Sequence, residues 1–556
     1  MTFWQVFFRL LPKRPGKALE ALFWRAIGRK VRSENRLRAA SVALPLGYDL
    51  WISNIERARE IADSASATIE GWSGKPRFLI FVHSSERTSS DQVQQSKSSV
   101  ERQIYPNWVL YGPEGGDEAS INSCYTVHLR AGDTLSETAL FRFAEAIHAN
   151  PTASILYGDH DELDHRGRRS RPWFKPQWNA ELFHALDYIS QCAAIERTLA
   201  RKASLIDGHP GAASLDTAFL RATADAPGSI VHVPHILAHV QRASSSEGRS
   251  DAVSRHVQSL GATCAPGPHS TTKVIWPLPD EPPTVSIIIP TKDKVNLLQA
   301  CVESVLGKTT YPDFEIIIVD NDSVVPATLS YLDEISRHER IRILRYSHPY
   351  NFSAINNFAA KQADGSFLCL LNNDTEVVEP DWLTEMMRYA IRSDVGAVGA
   401  KLLYSDRSIQ HAGVVVGMGD AAGHAHRFLP ENEPGYFRQA HAAQFVSAVT
   451  AACLLVEKAK YDFVGGLDEE VLAIAYNDVD LCLKLQSCGL KNVYVPHAVL
   501  LHHETQSRGH DLSPNQIARY AQELKAFQDR WGTKDFQDPL HNPNLDRYSE
   551  TYVIRI

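Results

Sequence analysis

Paired cysteines are missing from this sequence. Its eight cysteines (Cys124, Cys192, Cys264, Cys301, Cys369, Cys453, Cys482, Cys488) are scattered with no C-x-x-C pair, which removes the spacing of a disulfide framework or a metal ribbon. Several sit inside apolar runs, where reduced, buried thiols are expected, and a reducing cytosol follows as the expected compartment. Positive charge is short as well: the formal net charge is -8, which argues against general nucleic-acid binding. The apolar runs near the start, "FWQVFFRLL" and "ALFWRAI", are too short and too interrupted for a membrane span or a secretory signal. No short-period repeat marks a solenoid.

What is present begins with size. At 556 residues the chain exceeds one hydrophobic core and is expected to hold two or three domains. Its charge is uneven, since residues 1–40 hold ten Lys/Arg against Glu20 and Glu34. A basic arm therefore precedes an acidic body. Two readings of the arm stand side by side: an interfacial helix that seeks anionic lipid, or an amphipathic helix packed on the first domain. The segment "APGPHSTTKVIWPLPDEPP", 265–283, is rich in proline and poor in periodicity, as linkers are.

Beyond it, "VSIIIP", "EIIIVD", "IRILRY" and "SFLCLLN" are short continuous apolar runs, the pattern of strands buried on both faces. Helical stripes such as Leu298, Cys301, Val302, Val305 and Leu306 lie between them. The expectation is an open, mostly parallel α/β sheet, whose ligands bind beyond the carboxyl ends of the strands. Asp320-Asn321 and Asn372-Asn373-Asp374 sit at such ends. On residue type alone the latter is a turn or a metal site. Further on, Asn477, Asp478 and Asp480 open a helix, and His502-His503 follow the strand "NVYVP". Acids in a first helical turn suit its dipole without any chemistry, so only the ordered combination of clusters points to a reaction.

From Val285 to about Gly509 the sequence resembles a family 2 glycosyltransferase of the GT-A fold, and closely the bacterial enzymes of O-antigen and surface-polysaccharide assembly. Seven stretches carry the resemblance in order: "VSIIIPTKD", "EIIIVDNDS", "YNFSAINNFAAKQADGSFLCLLNNDTEV", "VTAACLLV", "VGGLDEE", "AYNDVDLCLKLQSCGLKNVYVPHAVLLHHETQSRG" and "DPLHNPNL". The resemblance implies that Asp374 binds a divalent metal, Mg or Mn, held with the donor's diphosphate, and that His502 completes the coordination, with His503 as the alternative. Asn372 stands where the family's commonest form has an acid; an amide there, with Asn373, is still able to bond the nucleotide. Thr291, Asp293 and Asp320 match positions that hold nucleobase and ribose, while Asn321 and Ser323 shape that turn. Asp478 matches the catalytic base, and Asp480 either contacts acceptor or caps the helix.

The N-terminal half echoes the same order weakly: "RFLIFVHSS", "YPNWVLYG" and "YTVHLRAGDTLSETALFRFAEAI" run parallel to the stretches above. Two GT-A-like units in tandem are expected, the first degenerate. There only Asp133 has an acidic counterpart in the metal element, and Ser214 or Leu215 stands where the base is expected. "DHDELD" (159–164) reads as a solvated loop or an acceptor contact, and "RGRRSR" (166–171) as solvated loop charge. The segment 411–441 reads as a mobile acceptor lid.

The expected organisation is a basic helical arm at 1–70, a degenerate unit at 71–264, the linker at 265–283, a catalytic unit at 284–512, and a C-terminal helix and tail at 513–556. The implied function is inverting transfer of a sugar from a nucleotide-diphosphate donor to a hydroxyl of a lipid-linked glycan. It would take place at the inner face of the cytoplasmic membrane. Two alternatives accompany it: both units active in turn, or a non-catalytic glycan-binding scaffold on the same fold.

Overall fold

The computed structural model describes residues 3–12, 14–26, 33, 46–56, 58–84, 88–111, 124–164, 166–206, 212–226, 230–241, 248–503 and 514–555. Of the basic arm, Lys13, Arg29, Lys30, Arg32, Arg36 and Arg38 lie outside the described residues, as does the end of the family-like stretch at 504–509.

The first half builds one sheet from β1 (Arg77–His83), β2 (Trp108–Leu110), β3 (Cys124–Arg130), β4 (Thr134–Leu135), β5 (Ile155–Leu163), β6 (Arg169–Trp173), β7 (Ala193–Glu196) and β8 (Ile230–Gln241). Their spatial order is β2-β1-β3-β7-β5-β8-β4, with β6 beside β5. A hairpin of β9 (Thr263–Pro266) and β10 (Thr272–Ile275) follows.

The second half contains β11 (Val285–Thr291), β12 (Phe314–Asp320), β13 (Ile341–Arg345), β14 (Phe367–Leu371), β15 (Thr375–Val377) and β16 (Val395–Leu403). It continues with β17 (Ile409–His411), β18 (Val414–Val416), β19 (Ala422–His424), β20 (Gln444–Val446), β21 (Cys453–Glu457) and β22 (Lys491–His502). The main sheet runs β13-β12-β11-β14-β21-β16-β22-β15. It is parallel from β13 to β14 and mixed beyond, because β21 enters antiparallel on both sides.

Removing β13 from this order leaves the order of the first sheet, strand for strand. The senses agree too: β1–β3 and β11–β14 are parallel, β3–β7 and β14–β21 antiparallel, β5–β8 and β16–β22 parallel. The weak sequence echo is thus a duplicated α/β unit.

Strand alternation decides what each face buries. Ile287, Ile289, Cys369 and Leu371 face the helices 295–308 and 382–390 through Leu298, Val302 and Trp382. Ile288, Leu368 and Leu370 face the helices 352–360 and 477–487 through Ile355, Ala359 and Leu481. Six of the cysteines are buried, four of them (Cys301, Cys369, Cys453 and Cys482) in these two cores.

Three expectations change here. The linker is extended chain only in its second half: residues 265–275 belong to the β9–β10 hairpin, whose Val274 enters the first core. Its prolines tolerate this because Pro266 ends a strand and Pro268 lies in the turn. "DHDELD" is no solvated loop, since all of it but Asp164 falls in β5, with Asp159 and Asp161 fully buried. Asp161 accepts hydrogen bonds from Tyr48 Oη (2.5 Å) and Arg169 Nε (2.6 Å), and His239 Nδ1 lies 2.5 Å away. Arg169 also reaches Glu56, so part of the basic run is buried structure, as paired charges must be to sit inside. Finally, 411–441 is bolted to the first unit. Phe437 stacks on Trp173 with centroids 4.4 Å apart, and the Tyr436 hydroxyl accepts from Phe174 N at 2.9 Å.

The C-terminal helix 514–531 leads into a tail that crosses both units. Ser447 Oγ donates to Asp538 Oδ1 at 2.7 Å on the second unit. Asn542 Nδ2 donates to Asp159 Oδ2 at 3.0 Å on the first. Burial pushes the Asp538 carboxyl up to about 6. Among the described residues no helix is long and apolar enough to cross a membrane.

Candidate active site

The strand β14 stops at Asn372 because the chain turns there. Thr375 Oγ1 donates back to Asn372 O at 2.8 Å, and Asn372 N donates to Ala452 O at 3.1 Å. Asn373 Nδ2 donates to Thr291 Oγ1 at 3.1 Å, tying the ends of β14 and β11 together. The turn then enters β15, whose Thr375 is paired with His502 at the end of β22. That register places His502 Nε2 3.1 Å from Asp374 Oδ1. Asn372 Nδ2 lies 3.1 Å from the same ring nitrogen, and Gln410 Oε1 lies 2.6 Å from His502 Nδ1.

Asp374 is 3 % exposed, and its Oδ1 receives no hydrogen bond among the described residues. A buried carboxylate oxygen without a donor costs on the order of 1–3 kcal/mol or more, a cost that a cation, or a proton on His502 Nε2, would relieve. Two ligands about 2.1 Å from an octahedral ion stand about 3 Å apart, which the observed separation matches. The donor set, one carboxylate and one imidazole, fits Mg or Mn. Among the described residues no three His, Cys, Asp or Glu side chains converge into a full cage. A pair of protein ligands leaves positions for phosphate oxygens and water, as such ions favour. His503 turns elsewhere: its Nε2 lies 2.9 Å from Glu376 Oε1 and its Nδ1 2.7 Å from Ser405 Oγ.

Asp478 stands in the first turn of the helix 477–487, directly after Tyr476 in the left-handed region at φ 61°. Its Oδ2 accepts from Ala451 N at 3.0 Å and its Oδ1 from Val479 N at 2.8 Å. Each carboxylate oxygen has a second lone pair left for another donor, and the residue is only partly buried. The turn 450–452 is the common support: Ala451 holds Asp478 and Ala452 holds Asn372. Glu523 of the C-terminal helix braces the preceding loop by accepting from Ile474 N and Ala475 N, both at 3.1 Å.

Asp480, for which either an acceptor contact or a helix cap is expected, has its side chain engaged by the C-terminal helix. It is fully buried, and its Oδ1 accepts from Arg530 at 2.8 Å and Trp531 Nε1 at 2.9 Å, while Lys484 lies 3.2 Å from Oδ2. These bonds dock the C-terminal helix on a carboxylate that is fully buried.

The remaining residues gather at the ends of β11 and β12. Asp293 Oδ1 accepts from Val324 N and Val325 N, both at 2.9 Å, and Ser323 Oγ accepts from Asp293 N at 2.8 Å. Asp293, Lys294 and Asp322 all hold positive φ, a cluster of backbone strain of the kind found at ligand sites. Asp320 is fully buried, accepts from Ser323 N at 3.0 Å and pairs with Arg345. A ligand would therefore reach it through Arg345, not directly. Asn321 shapes the turn as expected, donating to Tyr346 O at 2.9 Å and His348 O at 2.7 Å.

The first unit separates what the second joins. Thr134 is paired with His239 as Thr375 is with His502, so Asp133 and His239 occupy the corresponding places. Asp133 instead accepts from Gln241 N at 2.9 Å, and burial pushes it up to about 6. His239 belongs to the Asp161 network. Sequence reasoning missed this network and the parts played by Glu523 and Arg530. The period-two spacing of Asp159 and Asp161 was the available signal for a strand; nothing local marked the other two.

Residues 286–448 match the family model described as Glycosyl transferase family 2. The chain is 40% identical over 449 residues to the uncharacterized protein y4gI of Sinorhizobium fredii, covering 77% of this chain and 49% of that one. It is 38% identical over 434 residues to the O-antigen biosynthesis protein RfbC of Myxococcus xanthus, covering 75% and 33%. The chain thus spans half or less of the length of these curated relatives. Among solved structures, the mannosyltransferase PcManGT of Pyrobaculum calidifontis, in complex with GDP-Man and Mn2+, aligns at TM-score 0.35 and 16% identity, covering 48% of this chain and 70% of that one.

Proposed function

The second unit of this chain, matched over 286–448, belongs to glycosyltransferase family 2, and from that premise we propose that it is an inverting, metal-dependent transferase. It moves a sugar from a nucleotide-diphosphate donor to a hydroxyl of a growing, lipid-linked surface glycan. The observation that carries the reading is the close Asp374–His502 pair, together with the turn 450–452 to which both the neighbouring Asn372 and Asp478 are hydrogen-bonded. Asp374 and His502 would hold Mg or Mn with the donor's diphosphate. When bound, the ion offsets the charge that builds on the departing diphosphate.

The chain's own residues do the rest. Asp478 takes the proton of the acceptor hydroxyl as its oxygen attacks the anomeric carbon from the face opposite the leaving group, which inverts that centre. The Ala451 amide holds one carboxylate oxygen and the Val479 amide the other, and each oxygen keeps a second lone pair for the acceptor. Thr291, Asn372 and Asn373 line the rim for the nucleotide, with Asp293 and the Arg345–Asp320 pair at its base-binding end. The O-antigen role named for RfbC supports a glycan acceptor of the same kind.

The test is a panel of nucleotide sugars scored by calorimetric binding with Mn2+ present. One donor should bind and be transferred or slowly hydrolysed; failure of every donor would leave the scaffold alternative. In the same assay Asp133→Ala should leave transfer unchanged, because Asp133 and His239 stand apart in the first unit. Loss of one of two successive products in that variant would instead establish the two-active-unit alternative.

A membrane contact through the arm belongs to this reading. The helices 3–10 and 15–26 bury Phe7, Leu10, Ala18 and Ala21 against each other, while Trp4, Phe8, Leu19 and Phe23 are exposed. Exposed aromatic and apolar side chains beside Arg14, Lys17 and Arg25 suit an anionic headgroup boundary. Each engaged cation contributes about 1 kcal/mol before screening, so attachment is weak and reversed by salt. Deleting residues 1–40 should lower co-sedimentation with anionic liposomes and spare transfer to a short soluble acceptor. A truncated protein without soluble activity would show that the arm is part of the first unit's core.

A further inference from the structure

We propose that Gln410 is a positioning residue that sets the ring of His502 for metal binding, an inference that rests on the metal role of His502 proposed above. Gln410 is 3 % exposed, stands in the middle of β17, and its Oε1 lies 2.6 Å from His502 Nδ1. An amide oxygen only accepts, so the proton of the neutral imidazole sits on Nδ1 and is donated to Gln410. The lone pair is thereby assigned to Nε2, the atom that receives Asn372 Nδ2 at 3.1 Å and faces Asp374 Oδ1 at 3.1 Å. With the opposite tautomer, Nε2–H would satisfy Asp374 and close the site to a cation. Gln410 therefore decides between an imidazole that ligates and one that caps a carboxylate.

The placement of Gln410 is itself braced. The next residue, His411, is fully buried, and burial among its neighbours lowers it to about 3. It stays neutral, donating from Nδ1 to Ala400 O at 2.8 Å, and its Nε2 accepts from Thr450 N at 3.4 Å. The Gln410 carbonyl accepts from His424 Nδ1 at 2.8 Å. β17 is thus held from both sides while its one amide side chain points at the ligand histidine. Partners of this kind, which orient a ligating histidine through its second nitrogen, are worth roughly 10–100-fold in metal affinity.

The experiment titrates the full chain with Mn2+ alone, reading the free-ion electron paramagnetic signal for affinity and the nitrogen hyperfine coupling of the bound ion for histidine ligation. The parent should show the nitrogen coupling, and His502→Ala should lose it. Gln410→Leu should weaken Mn2+ binding by about tenfold or more and lose or alter the coupling. Gln410→Glu, whose carboxylate still accepts from Nδ1, should keep both. Should Gln410→Leu fail to fold, the near-isosteric Gln410→Met makes the same comparison. Coupling and affinity equal in the parent and the Leu or Met variant overturn the proposal while the metal role of His502 stands. A parent without nitrogen coupling overturns that metal role and this inference with it.

Discussion

Asp478→Asn should lower sugar transfer by about 10²-fold or more, equivalent to about 2.7 kcal/mol of transition-state stabilisation, while donor affinity barely moves. The amide preserves the shape of the side chain and its carbonyl oxygen still accepts from Ala451 N, as Asp478 Oδ2 does at 3.0 Å. What is lost is the proton acceptor, together with the bond that Oδ1 accepts from Val479 N. The interaction removed is one made as the acceptor hydroxyl gives up its proton, so the loss falls on kcat and kcat/KM together. Single-turnover transfer with saturating donor, alongside calorimetric donor binding, separates the two quantities. Near-normal turnover would move the base to another residue, and a parallel loss of donor affinity would mean that Asp478 binds instead of reacting.

The second large effect concerns the pair at the end of β22. Asp374→Ala and His502→Ala should each weaken donor binding measured with Mn2+ present, and excess chelator should abolish transfer by the parent protein. Two results follow from the geometry and not from the chemistry alone. His502→Ala should weaken binding without unfolding the unit, since its ring partners, Asp374, Asn372 and Gln410, are all polar groups at the sheet's end. His503→Ala should leave Mn2+-dependent binding intact, because that ring is engaged by Glu376 and Ser405. Full activity in chelator would remove the metal from the reading and leave the buried Asp374 oxygen to be met by some other cation. A change of metal dependence in His503→Ala would exchange the roles of the two histidines.

The C-terminal helix shows where local reasoning stops. Asp480 follows Asp478 by two residues, and both fall in the first turn of one helix, so by sequence both are candidates for contact with a substrate. A helix turns about 200° in two residues, which points one side chain toward the turn 450–452 and the other toward Arg530 and Trp531. Which of the two faces the cleft depends on a separate helix further along the chain, the one that begins at Pro514. The same holds for Asp320, whose partner Arg345 lies on a neighbouring strand.

Those properties that repeat with a short period were written in the sequence. Continuous apolar runs made the strands of the second sheet recognisable, as those inside it bury both faces while β13 at its edge is only partly buried, and the residues at their carboxyl ends marked the rim. The order of the acidic and histidine clusters carried the family resemblance, and the faint echo in the first half marked its duplication. Tertiary structure decided which of these residues meet. The Asp374–His502 pair exists because β15 and β22 align Thr375 with His502, and the same register in the first unit fails to join Asp133 to His239 because Gln241 and Asp161 claim them first. Gln410 reaches His502 across 92 residues of chain, and the tail reaches Asp159 across 383. Such contacts follow from strand register and the packing of whole units, neither of which leaves a local periodicity to be read.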